Sequence, residues 1–120
     1  MNSKTTMKIS DVIRLTNASV VCGQAQTEHE VKRAFSSDLM SDVLTLDSDD
    51  ILLVTGLANP QAIRTAEVAD IHCILLTRNK KASEEMIRLA RENSMVLLET
   101  PYSMFKTSGI LYGAGLKPVY

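Results

Sequence analysis

The stretch Ile51-Leu52-Leu53-Val54-Thr55-Gly56-Leu57-Ala58-Asn59-Pro60 decides the fold class. Four large apolar residues in a row do not alternate with polar ones, so the run reads as a strand buried on both faces. It stops at Thr55-Gly56. Asn59 then offers a helix cap ahead of Pro60, whose missing N–H costs nothing at a first helical position. A helix is expected from there to about Val68. The same order recurs twice downstream. Cys73 to Leu76 is a second buried strand, ending at Thr77-Arg78-Asn79. Ser83 caps the next helix, Glu84 and Glu85 fall in its first turn, Arg88 and Arg91 toward its end, and Asn93 suits a left-handed stop. Met95 to Leu98 is a third strand, followed by Thr100 as cap, Pro101 at the first position and a helix through Met104 and Phe105 toward Leu111. Three strand-then-helix units predict an α/β fold of three layers, a mainly parallel sheet with helices on both faces.

Upstream of Ile51 the pattern is less regular. Ser10 is a candidate cap with Asp11 behind it, giving a short helix over 11–16. Residues 18–22 carry Val20 and Val21 and stop at Gly23, as a weak strand does. Residues 24–30 read as loop, and 31–35 are ambiguous between strand and helix. Ser37 and Asp38 open a helix expected over 38–44, because Leu39, Met40, Val43 and Leu44 recur at helical spacing.

Composition bounds the functional classes. The 120 residues are 45% hydrophobic and 22% charged, with 13 Lys and Arg against 14 Asp and Glu for a net charge of -1. One globular domain over 1–120 is expected, its polar start at 1–6 disordered. No basic stripe exists to displace the counterions of a nucleic acid, so none is expected as partner. The longest apolar runs fall far short of the roughly 20 residues that cross a bilayer, and the start shows no apolar signal region. Isolated Cys22 and Cys73 suit a reducing cytoplasm.

Candidate chemistry concentrates at the strand ends, because ligands of open parallel sheets settle beyond the carboxyl ends of strands, where helix N-termini offer free N–H groups. Those ends carry Thr55, Gly56 and Asn59 after the first strand, Thr77, Arg78 and Asn79 after the second, and Thr100 with Tyr102 after the third. If adjacent, they form one polar crevice whose positive charge comes from Arg78, with Lys80 and Lys81 beside it. A small anion or a nucleotide fits that chemistry. The plainer reading makes Asn59, Ser83 and Thr100 ordinary caps and Lys80-Lys81 a solvated turn.

Other chemistry is poorly supplied. No glycine-rich phosphate loop with a Lys-Ser/Thr pair is present, and Gly113-Ala114-Gly115 is not placed as a dinucleotide fingerprint requires. His29, His72 and the two cysteines lack zinc-site spacing. Asp38 and Asp42, a turn apart on the expected helix, form a carboxylate pair in principle, but Asp38 is better read as N-terminal helix charge. Neither thiol has a Lys or Arg beside it in sequence to activate it. No catalytic residue, metal site or cofactor is expected.

The order of residues Asp38-Leu39-Met40-Ser41-Asp42-Val43-Leu44, the strand ending Val54-Thr55-Gly56, the strand Ile74-Leu75-Leu76-Thr77 with the helix over 83–93, and the closing Val96-Leu97-Leu98-Glu99-Thr100-Pro101-Tyr102-Ser103-Met104-Phe105 together resemble the DRTGG domain. The resemblance runs from about Met7 to Leu111. It implies a fold like the N-terminal domain of HPr kinase/phosphorylase, a tendency to homodimerise, and a regulatory role, since such domains also sit beside CBS domains in some pyrophosphatases and occur in some phosphotransacetylases. Stand-alone members are found in anaerobic bacteria near hydrogenase and regulatory kinase or phosphatase genes. The chain departs from the family where Leu57-Ala58-Asn59-Pro60 replaces an Asp-Arg pair and Arg78-Asn79 replaces a glycine pair. The resemblance does not extend to phosphotransfer, because the phosphate loop of HPr kinase belongs to its other domain.

These readings lead to a non-catalytic, cytoplasmic, homodimeric regulatory module that senses a small anionic or nucleotide ligand at the strand ends and acts on a regulatory protein partner. The alternatives are a homodimeric interaction scaffold without ligand, using residues 38–44 or Ile110-Leu111-Tyr112, and a small-molecule enzyme built on Asp38 and Asp42.

Overall fold

The structure, a computed structural model, describes residues 6–120. The expected disordered start therefore lies outside the described residues up to position 5, while the Thr6 hydroxyl donates to Glu30 Oε1 at 2.7 Å. In chain order the elements are β1 (Met7–Lys8), α1 (Ile9–Thr16), β2 (Ser19–Cys22), β3 (Glu30–Val31), β4 (Arg33–Ser36), α2 (Met40–Val43), β5 (Ile51–Thr55), α3 (Pro60–Val68), β6 (Cys73–Leu76), α4 (Glu84–Glu92), β7 (Val96–Glu99), α5 (Met104–Gly113) and β8 (Lys117–Pro118), with one turn of 3-10 helix at Gln24–Gln26. Six strands form one sheet in the order β2-β7-β6-β5-β4-β8. Only β2 runs antiparallel to its neighbour. A separate two-residue ribbon pairs β1 with β3.

The period-two geometry of a strand divides the central residues between two cores. Ile51, Leu53, Ile74, Leu76 and Leu97 face α2, α3 and α4 together with Ile63, Ala66, Met86 and Ala90. Leu52, Val54, Cys73, Leu75, Val96 and Leu98 face α1 and α5 with Ile9, Val12 and Leu111. Every residue of β5 and β6 is buried, which is why their sequences show unbroken apolar runs. The expected three-layer, mainly parallel α/β architecture is the one observed.

The edges explain what the sequence signalled weakly. β2 and β4 are four-residue strands with mixed burial, so neither carries a continuous apolar signature. Gly23 sits against β7 at φ 91, where an added Cβ would lie 2.8 Å from the Val96 Cα, so this close approach needs glycine. β8 closes the other edge with Lys117 and Pro118, residue types that discourage further strand addition.

Two caps stand where the sequence places them. Asn59 accepts from Ala62 N at 3.1 Å and Ser83 from Met86 N at 3.2 Å. Four local expectations change. α1 begins at Ile9 rather than after Ser10, with no side-chain cap bond, because the chain enters it directly from β1. The helix expected over 38–44 shortens to Met40–Val43, since Asp38 is engaged elsewhere. Ser94 at φ 54, not Asn93, takes the left-handed position after α4. The cap of α5 is Ser103, which accepts from Lys106 N at 3.1 Å.

Thr100, expected as that cap, is 1% exposed and serves as a tie. Its hydroxyl donates to the Thr16 carbonyl at the end of α1 and accepts from Tyr102 N at 3.2 Å. Thr100→Val keeps the shape and leaves both groups without that partner, so a loss of about 1–3 kcal/mol is expected. Urea unfolding checks this: the midpoint should fall with an unchanged slope, and an unshifted midpoint would remove Thr100 from the account.

Candidate functional site

The connections leaving β6 and β7 part company. From β6 the chain turns to α4 on one face of the sheet, and from β7 it turns to α5 on the other. Adjacent parallel strands whose connections diverge in this way open a crevice at their carboxyl ends. Here main-chain bonds form a floor between the two loops: Arg78 N donates to the Tyr102 carbonyl at 2.6 Å and Asn79 N to the Thr100 carbonyl at 3.0 Å. To reach those carbonyls, Arg78 and Asn79 adopt left-handed backbone angles, with φ 58 and 59. That region is cheap for glycine and costs other residues roughly 1 kcal/mol or more each.

The side chains around this floor are mostly cationic. Arg78 is exposed, and the Lys106 ammonium lies 3.9 Å from the centre of the Tyr102 ring. Neither cation forms an ion pair among the described residues. Lys81, by contrast, reaches Glu99 Oε1 at 3.5 Å, and Glu99 Oε2 accepts from Ala82 N at 2.8 Å. The carboxylate of Glu99 thus neutralises Lys81 and orders the loop into α4, leaving Arg78, Lys80 and Lys106 as the cations of these loops without an ion pair among the described residues. α5 also begins here, and its first N–H groups add partial positive charge.

One strand over, at the end of β5, the electrostatics reverse. Asp38 Oδ1 accepts from the Gly56 N–H at 2.6 Å and from the Thr55 hydroxyl at 2.9 Å. The Thr55 hydroxyl in turn accepts from Leu57 N at 3.1 Å. An added Cβ on Gly56 would sit 3.5 Å from Asp38 Oδ2 and 3.6 Å from the Thr77 hydroxyl. The chain's own carboxylate occupies the N–H that was expected to meet an anion.

All eight residues expected in the crevice therefore lie along one end of the sheet, but in different employment. Thr55 and Thr100 spend their hydroxyls inside the fold, Gly56 gives its N–H to Asp38, and Asn59 caps α3. Arg78 and Asn79 are exposed and Tyr102 half-buried at the ends of β6 and β7, whereas Thr77, expected to meet a ligand, is 1% exposed. Sequence reasoning missed Lys106 and the role of Asp38. Lys106 follows Tyr102 by four residues, a neighbourhood that emerges only once Ser103 rather than Thr100 is seen to cap α5. Asp38 carried no local signal.

The carboxylate pair does not form as drawn, because α2 starts after Asp38 and the two aspartates do not share a helix face. Among the described residues no group of three His, Cys, Asp or Glu side chains is arranged to hold a metal. No helix of the described residues is long and apolar enough to cross a membrane.

Comparison with known proteins bears on the fold and the family. A search of curated proteins finds no match. The DRTGG domain profile matches residues 11–114. Among solved structures, the regulatory region of Clostridium perfringens pyrophosphatase, comprising CBS and DRTGG domains complexed with the activator diadenosine tetraphosphate, superposes with a TM-score of 0.73 at 15% identity. The match covers 93% of this chain and 48% of that one, so this chain spans about half the length of that solved region. At such identity the likeness is one of fold.

The two thiols lie away from the crevice. Burial pushes the Cys73 thiol up to about 12, and burial also raises Cys22. A thiol so raised has almost no thiolate near neutral pH. Below about pH 9, the ordinary value, Cys73 is protonated folded or unfolded, and above it only the unfolded chain ionises, so stability is full at lower pH and falls as pH rises from about 9 toward about 12. Native protein at pH 8 should resist Ellman's reagent at Cys73 and react fully in urea; rapid native labelling would contradict this burial.

Proposed function

This chain belongs to the DRTGG domain family, and from that membership we propose a single-domain regulatory module, without a reaction of its own, that senses a small phosphate-bearing ligand. The ligand is a nucleotide or a short phosphate ester, taken at the carboxyl ends of β6 and β7. The reading includes a homodimeric state, a cytoplasmic place of work and a regulatory protein partner. A ligand that favours one arrangement of the dimer, or one partner-bound state, then shifts the population and changes the output.

One observation carries the reading. Arg78 holds a left-handed backbone, where glycine would be less strained, at the opening between two diverging connections. Strain kept at such a place is a pointer to function. A guanidinium suits phosphate because its planar fork donates two parallel hydrogen bonds. Around it, the proposed roles follow from the geometry. Lys106 supplies a second charge and moves from the Tyr102 ring toward the phosphate. The exposed Asn79 amide donates hydrogen bonds, Tyr102 offers a ring edge or face to a base, and the buried Thr77 supports the loop from within. Thr55, Gly56, Asn59 and Thr100 support the crevice from behind, and Asp38 keeps a second anion away from the β5 end. The solved regulatory region with the same fold was complexed with a dinucleoside polyphosphate activator, which supports nucleotides as the first ligands to test.

The scaffold reading without ligand is favoured by the exposed apolar surface of α5 and by Leu39 and Leu44, which are 57% and 53% exposed. A thermal-shift series separates the two. A ligand at a hundred times its dissociation constant stabilises the fold by ~2.7 kcal/mol, which is about 10 °C for a domain of this size. Adenine and guanine nucleotides, diadenosine tetraphosphate, pyrophosphate and acetyl phosphate are the probes. A saturable shift is expected with one or more of them, and a flat response throughout would leave the scaffold. Arg78→Gly should raise the melting temperature of the ligand-free protein while weakening the active probe about 10-fold to 100-fold, the range expected for a lost charged hydrogen bond. Unchanged affinity in that variant would remove Arg78 from the site.

A further inference from the structure

The sheet face covered by α1 and α5 changes in height at its edge. On β5 that face carries Leu52 and Val54, but the register of the neighbouring β4 puts Ala34 beside Leu52 and Ser36 beside Val54. Small residues thus follow large ones. α5 brings Ser108 and Gly109 to the same place, and a Cβ added at Gly109 would meet nothing within 4 Å. Between α5, β4 and β8 this leaves a groove of about 410 Å³ that the chain's own side chains do not fill. Small-molecule sites run from about 300 to 1,000 Å³, lined mostly by apolar and aromatic groups with a few placed polar ones.

We propose that this groove is a second binding site, distinct from the crevice at the ends of β6 and β7, and that it takes a small planar aromatic carboxylate. It is independent of the phosphate-bearing ligand of the reading above.

The walls select a flat ring. α5 contributes Phe105 and Tyr112, and the opposite side contributes Phe35 and Tyr120. Phe35 and Tyr120 already meet edge to face, ring centres 6.1 Å apart, while Phe105 and Tyr120 remain 90% and 82% exposed. Aromatic rings favour offset or edge-on partners at such separations, so a planar ligand meets both walls at once. A flexible acyl chain in the same space loses rotational freedom that a rigid ring does not have.

A hydrogen-bond donor stands in the lining. The Ser36 and Ser108 hydroxyls lie 2.7 Å apart, joining β4 to α5. Whichever of them donates to the other, the accepting hydroxyl keeps a hydrogen of its own for an oxygen of the ligand.

Charge fixes the sign of the ligand. Every charged side chain on the three elements that form the groove is a cation: Arg33 on β4, Lys106 on α5 and Lys117 on β8. Arg33 donates to the Pro118 carbonyl at 3.4 Å and Lys106 is drawn over the Tyr102 ring, whereas Lys117 borders the groove with no ion pair among the described residues. The surrounding field therefore favours an anion. The apolar lining in turn disfavours a strongly hydrated dianion such as a phosphate ester, and a ring bearing one carboxylate satisfies both conditions.

An amide-resolved NMR titration of the full chain tests this with three probes: 2-naphthoate, its uncharged counterpart 2-naphthalenemethanol, and decanoate. Saturable shifts with 2-naphthoate are expected at residues 34–36, 108–112 and 116–120, with tighter binding than either other probe. Lys117→Gln should weaken 2-naphthoate about threefold to fivefold, the range of an exposed ion pair, and leave the alcohol unchanged. Gly109→Leu suits a helix better than glycine and fills the groove, so circular dichroism should be retained while 2-naphthoate weakens about tenfold or more. A flat titration overturns the proposal, whether or not a second copy covers the groove. Decanoate binding as tightly as 2-naphthoate, or the alcohol doing so, overturns the ligand class. Shifts at residues 77–80 in place of the groove, or an affinity indifferent to Gly109→Leu, overturn the site.

Discussion

Two main-chain hydrogen bonds, from Arg78 N to the Tyr102 carbonyl and from Asn79 N to the Thr100 carbonyl, hold together the end of the sheet on which the functional argument depends. A parallel sheet leaves backbone groups unpaired where its strands stop, and these must be satisfied by loops or water. At β6 and β7 the loops satisfy each other. The consequence is a fixed floor between α4 and α5, the two elements that leave the sheet on opposite faces. Thr100 extends the tie to α1 through the Thr16 carbonyl, so helices on one face of the sheet and the loop to the other face share one short network.

That network constrains backbone more than side chain. Arg78 and Asn79 are left-handed because the carbonyls of Thr100 and Tyr102 lie where only that geometry brings the N–H groups. Glycine would enter this region without steric cost. This chain places a guanidinium and an amide there instead, at a cost in backbone strain. The neighbouring end of β5 makes the opposite choice, filling its donor positions with the carboxylate of Asp38. Charge at the strand ends is therefore graded across the sheet, negative at β5 and positive at β6 and β7.

Much of this fold was legible because its centre is buried on both sides. β5, β6 and β7 read as unbroken apolar runs, and Asn59-Pro60 and Ser83 announced the helices between them. β2 and β4 were harder, since edge strands bury one face or part of one, and neither four-residue segment sustains a period. Residues 38–44 misled because helical spacing of Leu39, Met40, Val43 and Leu44 is local, whereas the bond from Asp38 to Gly56 spans eighteen residues of chain. Thr100-Pro101 misled for the same reason: Thr100 has the chemistry of a cap, but α1, a distant element, claims its hydroxyl. The site was legible as a place and not as a set of partners. Which strand ends meet follows from sheet order, and Lys106 enters only once the true start of α5 is known.

The most direct test of a phosphate-binding crevice at the ends of β6 and β7 is an amide-resolved NMR titration of the full chain with whichever nucleotide or phosphate ester stabilises it. The account predicts saturable shifts concentrated at the amides of residues 77–80 and 102–106, with the α3 face and the β2 edge unmoved. Saturable shifts confined to any other surface, with these two loops silent, would contradict it.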